Sequence, residues 1–151
     1  TVVACVNRLS QSKAAAVASM RPDAIVLAAD TLIACENEVL GKPINLEHAL
    51  TIWRKLSNKT HQVFTSVAVC FQESKLSIVN VSDVTFAEIS DESMHAYWLT
   101  GEPADKAGAY AIQGHAASWI KEIRGSYSGI MGLPLFETAQ LLKSLGVKTL
   151  L

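Results

Sequence analysis

A chain of 151 residues is one domain's worth of length, enough to bury a single substantial core. Half of its residues are hydrophobic and 18% are charged, which excludes an intrinsically disordered segment. A net charge of −1 provides no footprint for a nucleic-acid polymer, although a small anion needs only a local cluster of cations.

From Val2 to Met20 the apolar positions Val2, Cys5, Val6, Leu9, Ala16, Val17 and Met20 recur at three- and four-residue steps, predicting an amphipathic helix. Lys13 falls on that face, where its ammonium either snorkels to the rim or aims into a cleft. Pro22-Asp23 ends the helix. The run from Ala24 to Thr31 reads as a strand buried on both faces that stops at a carboxylate, Asp30. In an open α/β sheet, ligands sit beyond the carboxyl ends of the strands, so Asp30 is placed for chemistry. The alternative is that Asp30 merely caps the strand and opens a turn.

Cys35 to Val39 suggests a turn and a short return strand, and Asn45 caps a helix carrying Leu46, Ala49, Leu50, Trp53 and Leu56 on one face. His61 to Phe71 alternates, with Val63, Thr65, Val67, Val69 and Phe71 pointing one way. Glu73-Ser74 turns the chain into a second strand, Leu76 to Phe86, predicting an antiparallel hairpin. Ser90-Asp91-Glu92 starts a helix that Gly101-Glu102-Pro103 ends. Lys106 to Gly114 reads as a loop, Ala117 to Ile123 as a strand and Gly125 to Gly129 as a flexible loop. Pro134 leads a last helix through Ala139, Leu142 and Leu145. The expected fold is α/β, with a mixed central sheet flanked by helices and residues 1–151 forming one domain. Three cysteines (Cys5, Cys35 and Cys70) without a C-x-x-C pair predict reduced, mostly buried thiols in a cytoplasmic protein. No apolar run approaches the span of a bilayer.

Several short segments carry a family resemblance. They are Ala29-Asp30-Thr31, Gly41-Lys42-Pro43, Leu56-Ser57 with Thr60-His61-Gln62-Val63, Asp83-Val84-Thr85-Phe86 and Gly101-Glu102-Pro103. Further along come Asp105-Lys106-Ala107-Gly108-Ala109-Tyr110, Ile112-Gln113-Gly114, Gly125-Ser126-Tyr127, and Gly132-Leu133-Pro134-Leu135 with Glu137-Thr138. In order and approximate spacing these resemble the Maf-type nucleotide pyrophosphatases over nearly the whole chain. The resemblance implies a fold similar to that of Maf and inosine-triphosphatase proteins. It also implies hydrolysis of nucleoside triphosphates to monophosphate and pyrophosphate with a divalent cation, Mg2+ or Mn2+, and a homodimer. Apolar surface for that dimer is expected at the Trp98 helix end and in the Tyr127–Met131 loop.

By the same resemblance Asp30 is the proton acceptor, and Lys13 and Lys42 are the site lysines. Thr31 and Gln113 place the chain with the branch acting on dTTP and UTP. Two departures stand out. The family's S-x-S-P-R-R loop and the strand before it have no counterpart here, so an N-terminally incomplete domain is expected. The helix motif reads Ser12-Lys13-Ala14 where the family usually has E-K-A, removing an acid suited to a metal.

Cleaving the α–β bridge of a triphosphate adds charge to the departing pyrophosphate, so positioning and charge neutralisation dominate the chemistry. Lys13 and Lys42 would supply cations, and a hard ion held by Asp30 and phosphate oxygens the remainder. Asp30 either takes a proton from the attacking water or ligates the metal. Gln113 has the donor and acceptor needed to match the imide edge of uracil or thymine, or is a loop amide satisfying backbone groups. Thr31 bonds the base, bonds a phosphate or caps the turn. His61 and Gln62 read as structural, and Asp105-Lys106 as a solvated pair. His48, His95 and His115 show no spacing suited to zinc. The competing expectation is a nucleotide-binding module without turnover.

Overall fold

The computed structural model describes residues 1–149. Its elements run α1 (Val2–Met20), β1 (Val26–Cys35), β2 (Glu38–Leu40), α2 (Leu46–Leu56), β3 (Thr60–Phe71), β4 (Ser74–Phe86), α3 (Asp91–Leu99), β5 (Ile120–Arg124), α4 (Tyr127–Met131) and α5 (Leu135–Ser144). The five strands form one sheet in the order β2-β1-β3-β4-β5, with β1–β2 and β4–β5 antiparallel. This is the α/β architecture the sequence predicts. The chain divides into two compact units. One comprises Thr1–Thr31, Phe64–Val81 and the chain from Ser126 onward, the other Leu32–Val63 and Ser82–Gly125.

In the first unit, α1 buries Val6, which the predicted apolar face includes, together with Ser10 and Ala14, which it does not. Val17 and Met20 are exposed, at 44% and 71%. Small residues win because they allow close approach to the sheet: Ala14 packs with Val26, Ala68 and Cys70, flanked by Ala18, Ala24 and Ala28. A polar contact fixes the register, the Ser10 and Ser66 hydroxyls lying 2.7 Å apart and buried. Strand β3 is buried on both faces from Val63 to Cys70, so the predicted alternation has no exposed side. Ser66 meets α1 on one face, while Thr65 on the other donates to the Gly129 carbonyl of α4. The β3–β4 reversal falls at Gln72-Glu73, one residue earlier than predicted, with Gln72 at φ +51°.

The Gly125–Gly129 segment is not a flexible loop. The Ser126 hydroxyl accepts the Gly129 N–H and caps the single turn α4, which ends at Gly132 with φ +117°. A Cβ on Gly129 would lie 2.7 Å from Asn80 Oδ1, so this position requires glycine.

The second unit is built on aromatic packing. Trp53 lies 5.4 Å from Tyr97 and 5.7 Å from Trp119, and Phe86 lies 4.9 Å from both His61 and Tyr110, centroid to centroid. The polar edges of these rings are satisfied: Trp53 Nε1–H donates to the Ala109 carbonyl at 2.9 Å, and Trp119 Nε1–H to Ser93 Oγ at 2.9 Å. Asn45 caps α2 through the His48 N–H and Ser90 caps α3 through the Ser93 N–H, as predicted. Strand β5 starts at Ile120 rather than Ala117, because His115–Trp119 coils into a 3-10 turn that buries Ala116 and Trp119. Glu36 and Asn37 both take positive φ, the pairing that tight hairpins favour, and return β1 into β2. All three cysteines are free, Cys35 and Cys70 buried, and burial pushes the Cys35 thiol pKa up.

Candidate functional site

Asp30 and Thr31 lie in the middle of β1, not at its end. The strand runs on through Leu32-Ile33-Ala34-Cys35, because Ile33, Ala34 and Cys35 are buried and pair with β2. Asp30 is mostly shielded, its side chain 15% exposed, and its Oδ1 accepts the Lys13 ammonium. Lys13 reaches it from α1 with a side chain 56% exposed. Of the sequence-predicted residues, Lys13 and Asp30 are thus brought into direct contact. Oδ2 of Asp30 makes no hydrogen bond among the described residues.

Thr31 is half-buried, and its hydroxyl lies 2.9 Å from that of Thr65. Thr65 is 1% exposed and donates to the Gly129 carbonyl at 2.7 Å. That carbonyl also accepts the Gly132 N–H at 3.0 Å. The backbone of α4 is therefore tied to the strand bearing Thr65. Close by, Asn80 Nδ2 donates to Glu137 Oε1 at 2.7 Å, while Glu137 Oε2 is buried without a hydrogen-bond partner.

Lys42 and Gln113 belong to the second unit. Lys42 is exposed in the turn before α2, held by the buried Pro43 and by the Gly108 N–H donating to the Gly41 carbonyl at 3.1 Å. The Ile44 N–H donates to His48 Nδ1 at 3.3 Å, closing the same turn. Gly108 takes φ +67°, and a Cβ there would sit 2.8 Å from Ile33 Cδ1, so the A-G-A stretch approaches β1 closely only as glycine. Asp105 pairs with Lys106 at 2.6 Å, and this partner, with a smaller contribution from Lys42, lowers the Asp105 pKa. With Asp105 75% exposed, the pair is the solvated one the sequence suggests.

Gln113 is exposed on the turn before Gly114. Sequence reasoning missed what holds that turn. The Glu102 carboxylate accepts the Tyr97 hydroxyl at 2.5 Å and the His115 N–H at 3.3 Å, and a Cβ on Gly114 would run into it. The Tyr97 hydroxyl in turn accepts the Ala111 N–H at 3.2 Å. Burial and the neighbouring Glu102 push the Tyr97 pKa up, so it stays a neutral donor. His61 is structural in its contacts: it is buried, and its Nε2 lies 2.7 Å from the Tyr110 hydroxyl.

In the first unit a shielded carboxylate on β1 has a lysine beside it, and in the second an exposed lysine and an exposed glutamine stand on turns that glycines fix. These are the side-chain types of a class of protein that handles polyanions. Comparison with known proteins gives this class its family. The chain matches the Maf-like protein family over residues 2–145 and belongs to it. A dTTP/UTP pyrophosphatase of Acinetobacter baylyi is 46% identical over 143 residues, spanning 95% of this chain and 78% of that protein. Its counterparts in Methylococcus capsulatus and Hahella chejuensis are each 46% identical, across 95% of this chain and 72% and 73% of theirs.

Proposed function

We propose that this chain is a nucleoside triphosphate pyrophosphatase that hydrolyses the α–β phosphoanhydride of dTTP and UTP, releasing the monophosphate and pyrophosphate. The carrying observation is Asp30, shielded on β1 and contacted by Lys13. The relatives named dTTP/UTP pyrophosphatase at 46% identity support the substrate.

In this reading Asp30 Oδ2 takes a proton from the attacking water, and Oδ1 is steered by Lys13. Lys13 also stands ready to shift toward a phosphate oxygen as charge develops. At about 4 Å a cation–anion pair is worth about 1 kcal/mol in bulk water but about 4 kcal/mol at an effective dielectric of 20, so lysines partly withdrawn from solvent count most. Lys42 serves the phosphates from its own turn. Gln113 presents both a donor and an acceptor to the pyrimidine edge.

The donor set fits a divalent cation of the Mg2+ type. Among the described residues no three His, Cys, Asp or Glu side chains converge, and such an ion needs only one or two carboxylates when phosphate oxygens and water complete its shell. Asp30 is the carboxylate that would hold it, a role alternative to taking the proton on Oδ2. When bound, the ion would neutralise phosphate charge and acidify water.

We read the protein as a cytoplasmic enzyme, a reading supported by its three free cysteines. No described helix is long and apolar enough to cross a membrane. We also read it as a homodimer, supported by Leu99 at 85% exposure in one unit and Tyr127 and Met131 at 48% and 49% in the other. Sedimentation at several concentrations tests the dimer. Incubation with dTTP or UTP and magnesium tests the activity: pyrophosphate is the expected product, and orthophosphate from an active preparation refutes the assignment.

A further inference from the structure

Thr31 and Thr65 touch through their hydroxyls, so both side chains stand on one face of the sheet. Successive strand residues point to opposite faces, which places Asp30 and Ser66 together on the other, on the adjacent strands β1 and β3. Helix α1 meets both. Its Lys13 ammonium donates to Asp30 Oδ1, and its Ser10 hydroxyl lies 2.7 Å from that of Ser66. Ser10 and Lys13 are three residues apart, so the two contacts are neighbours on the same side of α1. They differ in exposure. Ser10 and Ser66 are both 0% exposed, whereas the Lys13 side chain is 56% exposed.

The serine pair has its own support. Asn7 accepts from it twice, through its backbone carbonyl from Ser10 at 3.0 Å and through Oδ1 from Ser66 at 3.1 Å. Either serine can donate to the other, and the one that accepts still has a proton for Asn7. The rest of the buried face of α1 has no such direction: Val6 and Ala14 are apolar, and Ala14 meets Val26, Ala68 and Cys70. Apolar burial is non-directional, so it presses the helix onto the sheet without fixing how it is turned or how far along it lies. A half-exposed lysine on a flexible stem takes its position from the helix that carries it. We infer that Ser66 is a positioning residue for the Lys13–Asp30 pair: by gripping Ser10 it sets where α1 stands on the sheet, and so holds the Lys13 ammonium against the Asp30 carboxylate. Ser66 touches no substrate and acts through α1. This role rests on the reading of Asp30 and Lys13 as the catalytic pair, and adds the residue that keeps them in register.

Two readouts test it. With UTP and magnesium, Ser66→Ala should lower kcat about tenfold or more while KM stays within about twofold, because a displaced catalytic pair loses transition-state stabilisation rather than substrate binding. Ser10→Ala removes the same contact from the helix side and should show the same split. Val6→Ala strips buried packing from α1 and spares the serines. It should lower the melting temperature at least as much as Ser66→Ala, with kcat within about twofold of wild type. In a Lys13→Met background, Ser66→Ala should cost no more than about twofold further, since the residue through which it acts is gone. An equal drop in kcat for Val6→Ala, or an undiminished Ser66→Ala effect in the Lys13→Met background, overturns the role. The second readout needs no turnover. The Asp30 side-chain carboxyl carbon, assigned by its absence from Asp30→Asn, should shift in the NMR spectrum of Lys13→Met. That shift should recur in Ser66→Ala and Ser10→Ala but not in Val6→Ala, and an Asp30 signal unmoved by loss of either serine overturns the role as well. Failure of the enzymatic reading shows separately, as absence of pyrophosphate release from the wild type while the carboxyl signal still responds.

Discussion

Lowering the pH should destabilise this fold through one residue, His61. It is 1% exposed, and burial among aromatic rings lowers its pKa from 6.5 to about 4, because the imidazolium would lose its water. Its Nε2 is bonded to the Tyr110 hydroxyl, and its Nδ1 is buried without a partner, so neither nitrogen meets a carboxylate that would welcome the charge. The folded-state pKa lies below the unfolded one. Above pH 6.5 both states hold a neutral ring and His61 has no pH-dependent effect. As pH falls from 6.5 toward 4, the unfolded chain binds a proton that the folded chain refuses, so stability is lost across that window and levels off below it. With these two values the loss is about 2 kcal/mol at pH 5 and tends to about 3 kcal/mol below pH 4.

Urea titrations followed by tryptophan fluorescence at pH 7.5 and pH 5 measure it. With a slope of about 2 kcal/mol per molar urea, the wild-type midpoint should drop by about 1 M from this residue alone. His61→Gln retains a neutral partner for Tyr110 but cannot charge, so it cancels the carboxylate contributions common to both proteins. Equal midpoint shifts in wild type and His61→Gln would refute the linkage.

Asp30→Asn should lower kcat about 100-fold or more while leaving the melting temperature within a few degrees, as removal of a general base does; unchanged turnover in the folded variant removes Asp30 from the mechanism. Lys42→Ala should lower kcat/KM about tenfold or more through weaker phosphate stabilisation, and an effect on melting temperature alone would make Lys42 structural. Gly114→Ala drives a Cβ into the Glu102 carboxylate and should break its bond to the His115 N–H. The loss of stability should be about 1–3 kcal/mol, with a rise in KM for UTP as the Gln113 turn moves; a wild-type melting curve would show that the turn tolerates the side chain.

How much was legible in the sequence depended on whether the signal was local. Caps and turn residues act on neighbours one to four positions away, so Asn45, Ser90 and Gly101 marked α2 and α3 where the structure has them. The reach of β1 was not legible, because Asp30 reads as punctuation until the pairing of Ile33–Cys35 with Leu40–Glu38 carries the strand past it. Helix α1 misled for a related reason. Its buried line of Val6, Ser10 and Ala14 includes a serine whose partner, Ser66, is 56 residues away, and a hydrophobicity count scores that serine as surface.

The site divides in the same way. Asp30, Thr31, Lys13, Lys42 and Gln113 are visible as residue types on short motifs. What orients them comes from distant chain: Thr65 and Gly129 for Thr31, Gly108 for the Lys42 turn, and Glu102 for the Gln113 turn. Two of these supports are glycines at which a Cβ would meet a neighbouring side chain, Gly108 against Ile33 and Gly129 against Asn80. Their glycine identity therefore follows from packing that local sequence does not display. A motif names the groups that can do chemistry, whereas the direction in which a hydroxyl points its proton is decided by a carbonyl far along the chain. Thr65 shows this: a motif search passes over it as one more β-branched position in a buried strand, yet it joins the Thr31 hydroxyl to the Gly129 carbonyl.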